Sequence, residues 1–78
     1  MDKKHQKRLR SRRINFLMRV AEVQEIVFES QKRGATLSWI YRNKIEHQFH
    51  ISKSTFDNYL GIRAKAELKK IEEIHQNQ

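Results

Sequence analysis

Ile51–Leu60 reads ISKSTFDNYL, a turn followed by a short amphipathic helix. Ser52 stands just before the first helical position, where a serine oxygen accepts from a free amide of the first turn. Thr55 offers a second such oxygen. Phe56, Tyr59 and Leu60 recur at three- and four-residue spacing, so they share the inner side. With Ile51 in the turn, they are the expected structural core of this segment. Lys53, Ser54, Asp57 and Asn58 fall on the outer side. The stretch therefore reads as a polar, chemically varied surface held in place by aromatic anchors.

Outward from this helix, punctuation is sparse. The chain has no proline, and its only glycines are Gly34 and Gly61. They divide it into three segments. Before Gly34, Ile14, Leu17, Met18, Ala21, Glu25 and Phe28 define one helical face, interrupted at Glu25. Phe16, Val20, Val23 and Val27 define a neighbouring line, giving a wide apolar surface. Lys32 and Arg33 suit the negative end of that helix, and Gly34 suits its left-handed closure. Thr36 is a candidate cap for the next helix, with Ser38 competing. There Leu37, Ile40, Tyr41, Lys44, Ile45 and Gln48 recur at helical spacing, with Trp39 alongside. The apolar members are expected against the first helix. Phe49 and Ile51 bracket His50 and look like core plugs. After Gly61, Ala64, Leu68 and Ile71 define a last helix. The expected fold is all-α: a small three- or four-helix domain with helices at about 12–33, 37–48, 52–60 and 63–75, behind a flexible basic arm over 1–11.

Charge is unevenly spread. Of the net +8, residues 1–13 carry +6, residues 14–60 carry +1 and residues 61–78 carry +1. A block of like charge on KKHQKRLRSRR suits phosphate or minor-groove contact. An anionic membrane or an acidic protein would attract it too, and salt would weaken each attraction. Seventy-eight residues suffice for one domain with a limited core. No cysteine is present, which excludes disulfides and thiolate metal sites. No apolar run reaches the length of a membrane span, and nothing resembles a signal peptide; a cytoplasmic location is the default.

From Ser38 to Leu60 the chain resembles the helix-turn-helix of bacterial repressors and of phage or mobile-element DNA-binding proteins. The resemblance rests on Ile51, Ser52, Lys53–Ser54, Thr55 and Phe56, an apolar turn residue followed by serine, a polar pair, threonine and an apolar residue. Glu46 and His50 depart from it, standing where such proteins usually have a small residue and a glycine. A lengthened turn or a different helix crossing is one consequence.

The resemblance implies that the helix after Ser52 enters the major groove. Lys53 would then donate to guanine edges or phosphate, Ser54 would donate or accept, and Asn58 would pair with adenine. Asp57 would accept from cytosine or orient Lys53 or Arg42. Arg8, Arg10, Arg12 and Arg13 in the arm, with Arg42, Lys44 and Arg63, are the candidate phosphate contacts. Tyr41 is either a half-buried core aromatic or a further phosphate donor. One such helix reads few bases, so a homodimer through helix one or helix four is expected.

The function read from these features is sequence-selective binding of double-stranded DNA, as a transcriptional regulator or mobile-element accessory protein. The alternative is a protein–protein or RNA interaction module with a helical core and basic tail. His5, His47, His50 and His75 do not make a metal set. Ser52 and Ser54 near His50 lack the nucleophile turn and oxyanion site of a triad, and no Gly-rich phosphate loop occurs. No enzyme activity, cofactor, metal, membrane or small-molecule ligand is expected.

Overall fold

The computed structural model describes the backbone of residues 3–76 and the side chains of residues 11–72. Among them the chain is all-α, with four helices and no strand. We label these α1 (Lys3–Lys32), α2 (residues 37–49), α3 (Lys53–Leu60) and α4 (Ala64–Gln76).

Helix α1 starts at Lys3, nine residues before the expected position, so the basic arm has helical backbone from there on. The residues KKHQKRLR contain no glycine, proline or β-branched side chain, and most are good helix formers. Charge patterning alone does not announce this extension. The C-terminus of α1 closes in a Schellman motif. Gly34 takes φ 89°. Its N–H donates to Gln31 O at 2.9 Å and that of Ala35 to Ser30 O at 3.1 Å.

By contact the chain divides into two units, residues 22–62 and residues 1–21 with 63–78. In the first unit the core is Val23, Val27, Ile40, Ile45, Phe56 and Tyr59, all buried. In the second it is Leu17, Val20 and Ala64, with Leu68 and Ile71 half-buried. There Arg13 of α1 also pairs with Glu67 of α4 at 2.7 Å.

The buried stripe of α1 is therefore Leu17, Val20, Val23 and Val27. Of the wide apolar surface expected, the Val20–Val23–Val27 line and Leu17 are buried, whereas Met18 and Phe28 turn outward, 58% and 55% exposed. Lys32 Nζ lies 4.5 Å from the Phe28 ring centre, so part of that ring is covered by a cation.

Helix α2 is not regular. Leu37–Ile40 and Glu46–Phe49 are α-helical, and Tyr41–Ile45 is a π turn. The Glu46 N–H reaches back five residues to Tyr41 O. Ile40 and Ile45, five apart, are both fully buried. A five-residue register stacks such positions, whereas a regular α-helix would turn them apart. Leu37 and Trp39, expected against α1, are exposed. Ile51, Phe49 and Leu60, expected as core or core plugs, are half-buried. Ile40 and Ile45, both among the apolar members expected inward, are the fully buried ones; the π turn between them is what the 3.6-residue spacing does not announce.

Candidate nucleic-acid interface

The site is built on the turn and helix after α2. Helix α2 ends at His50, which adopts φ 53° and ψ 44°, the left-handed region. That conformation favours glycine and costs other residues about 1–2 kcal/mol. His50 N–H donates to Glu46 O at 3.1 Å, closing the helix. The chain then extends through Ser52, at φ −73° and ψ 164°. Ser52 Oγ accepts from the Thr55 N–H at 3.1 Å and donates to Thr55 Oγ1 at 3.0 Å. The two side-chain oxygens of this first turn thus bond each other, and Ser52 Oγ caps the backbone as well.

Contacts from Tyr41 and Gln24 hold α3 and the turns on either side of it. The Tyr41 ring packs on Phe56, centres 5.4 Å apart and planes 47° apart. Tyr41 Oη donates to Ile51 O at 2.8 Å, tying the π turn to the inter-helix turn. Gln24 of α1 donates from Nε2 to Tyr59 O at 2.8 Å and to Ile62 O at 2.5 Å. Tyr59 O also accepts from the Ile62 N–H at 3.2 Å, so Gln24 adds a side-chain donor to the closing turn of α3 and to the residue beyond it. Sequence spacing singled out neither Gln24 nor this bond. A glutamine interrupting the Val20–Val23–Val27 stripe is its only trace.

The phenol of Tyr41 is held above the ordinary tyrosine range, first by loss of solvent and then by the Glu46 carboxylate. With its proton donated to Ile51 O and its ring on Phe56, Tyr41 is a half-buried core aromatic rather than a free phosphate donor.

Lys53, Ser54, Asp57 and Asn58 are all exposed on α3. Lys53 Nζ meets Asp57 Oδ1 at 2.6 Å and stands 5.5 Å from the Phe56 ring centre. Asp57 therefore orients Lys53. Arg42 and Lys53 line one hollow of about 260 Å³, with Tyr41 and the carboxylate of Glu46. Lys44 is not with them: it lines a different hollow, beside Arg33 and Trp39. Arg12 and Arg63 are exposed, and Arg13 is engaged with Glu67 and lies over Phe16 at 5.4 Å. Arg8 and Arg10 lie outside the described side chains. Among the described residues, no group of three His, Asp or Glu side chains is placed to hold a metal ion. Among the described residues no helix is long and apolar enough to cross a membrane. No protein-family model, no curated protein and no solved structure matches this chain.

Proposed function

We propose that the chain binds double-stranded DNA, with α2 and α3 acting as a helix-turn-helix and α3 reading bases. The role is that of a transcriptional regulator or a mobile-element accessory protein. The observation that carries this reading is the position of Lys53. It is the first residue of α3, at the positive end of the helix. A cation there opposes the helix dipole at about 0.3–1 kcal/mol. Its bond to Asp57 runs in the less stabilising order, basic residue first. The Asp57 bond and the nearby Phe56 ring offset part of that cost, and an anionic groove would supply the further partner that an exposed cation at this end lacks. Ser54, Asp57 and Asn58 accompany it on the same exposed helix, and Arg42 shares its hollow.

In this reading Asn58 and Lys53 supply base contacts, Ser54 and Asp57 adjust them, and Arg42 and Arg63 with the arginines of α1 supply attraction. Paired half-sites would call for a dimer, with Met18 and Phe28 on α1 as exposed apolar candidates. The test is selection from random duplex DNA with the full chain, Asn58→Ala, and a variant lacking residues 1–13. A consensus that Asn58→Ala relaxes, and that the truncation preserves at lower affinity and lower salt dependence, is the expected result. No enriched sequence with the full chain would refute base reading and favour a protein or RNA partner.

A further inference from the structure

The turn between α1 and α2 holds a hollow of about 460 Å³, away from the outer residues of α3. Trp39, the sole tryptophan of the chain, forms one wall and is 48% exposed. Arg33 and Lys44 flank it, Ser30 and Thr36 add polar atoms, and no acidic side chain is among its lining residues. Glu25 and Glu29 line an adjoining hollow of about 310 Å³ that shares Arg33 and Lys44. Arg33 and Lys44 are thus shared between a hollow lined by Trp39 and one lined by Glu25 and Glu29. Gly34 also lines the hollow and borders open space, since a Cβ there would meet nothing within 4 Å.

An exposed aromatic plane beside two cations is the arrangement that holds an unpaired base with its phosphate. Stacking needs a free base face, which an intact duplex does not offer, while the cations need the phosphate. The volume also falls in the range of sites for ligands of this size. We infer that this hollow binds a phosphorylated, unpaired nucleotide, its base on Trp39 and its phosphate between Arg33 and Lys44. An acidic peptide would satisfy the cations but leave the planar wall without a stacking partner.

Because Trp39 is the sole tryptophan, its fluorescence reports on this site alone. The full chain, excited at the red edge of indole absorption in low salt, would be titrated with adenosine 5′-monophosphate, adenosine, inorganic phosphate, a short oligo-dA strand, a blunt duplex and a poly-glutamate peptide. Saturable quenching by the mononucleotide and the single strand is expected. Adenosine and phosphate alone should bind at least about tenfold more weakly, since each offers only half of the stacking and charge contacts. Tighter binding of the strand than of the mononucleotide makes a strand the source, and equal binding makes it a free nucleotide. Arg33→Gln and Lys44→Gln, both at exposed positions, should weaken quenching with an unchanged circular dichroism spectrum. Asn58→Ala should leave quenching intact, which separates this site from the base-reading role of α3. The inference is overturned by the absence of saturable quenching at millimolar nucleotide, by quenching that survives both cation substitutions, or by saturation with only the duplex or the peptide.

Discussion

Replacing Gln24 by glutamate changes one atom type at the point that fastens the end of α3 to α1. In the native chain Nε2 donates to Tyr59 O at 2.8 Å and Ile62 O at 2.5 Å. Each such bond contributes about 1 kcal/mol net, so Gln24→Met, which only deletes them, should cost about 1–2 kcal/mol. Gln24→Glu deletes them and sets a partly buried carboxylate against two carbonyl oxygens. Desolvation and repulsion should raise the cost to about 3 kcal/mol or more. For a domain this small that lowers Tm by about 12–24 °C. The pH dependence has a definite sign. The carbonyls disfavour the charged form, so the new carboxyl has a folded pKa above its unfolded value of about 4.3. Its neutral form is favoured by folding, and it can donate a hydrogen bond. The deficit is then fully present above the folded pKa and shrinks as pH falls toward about 4. Urea unfolding followed by circular dichroism at neutral and acidic pH, with wild type as reference at each pH, measures this. Equal stability of Gln24→Glu and Gln24→Met at pH 7, or a deficit that does not shrink on acidification, would refute the assigned bond.

Three further outcomes follow from backbone geometry and titration. His50→Gly relieves a left-handed non-glycine residue and should stabilise the chain by about 0.5–1 kcal/mol after glycine's own entropy cost; a loss of stability in thermal melts would contradict the φ of 53° at that position. The two glycines should respond oppositely to alanine. Gly34→Ala, at φ 89°, should cost about 1–2 kcal/mol. Gly61→Ala, at φ −88° with Asn58 O 3.6 Å from the new Cβ, should gain about 0.4–1 kcal/mol; the same sign for both would be inconsistent with the two conformations. The Tyr41 phenol should ionise above the usual tyrosine range, so folding stability is retained below about pH 10 and falls as pH rises through the folded pKa. The ultraviolet phenolate titration of wild type minus that of Tyr41→Phe isolates this ionisation, and a midpoint at or below 10 would speak against it.

Much of the helical framework was legible because its signals are local. Gly34 with Lys32 marks the end of α1, and Thr36 and Ser52 cap α2 and α3, each accepting from the amide three residues on. What escaped was set by tertiary packing. The inward line of α1 is Leu17–Val20–Val23–Val27, yet Met18 and Phe28 have as strong a claim by hydrophobicity. Only the positions of the other helices decide between adjacent stripes on a helix that is apolar over a wide arc. For the candidate interface, spacing placed Lys53 and Asp57 within reach, since i and i+4 are neighbours. It could not separate Lys44 from Arg42, because their hollows depend on how α2 is wound.

That winding also bears on the two residues that depart from the helix-turn-helix resemblance. A small residue is useful inside a first helix only where backbones approach at the crossing. Glu46 occupies the corresponding position by sequence count, but it is exposed, and the π turn immediately before it accounts for this. Relative to a regular helix, one extra residue between Ile40 and Ile45 brings both inward and carries Glu46 outward. Within the π turn Asn43 Nδ2 donates to Trp39 O at 2.8 Å, bracing the backbone where the winding changes. The contact with α3 passes instead to Tyr41, through its ring on Phe56 and its hydroxyl on Ile51 O. A large aromatic at that contact takes more room than alanine would, so the π turn and Tyr41 are two halves of one solution. His50 completes it from the other side, since a left-handed residue is still needed to turn the chain from α2 into Ser52. The π turn before Glu46 and the left-handed His50 both lie outside α3, whose residues Lys53, Ser54, Asp57 and Asn58 stay exposed.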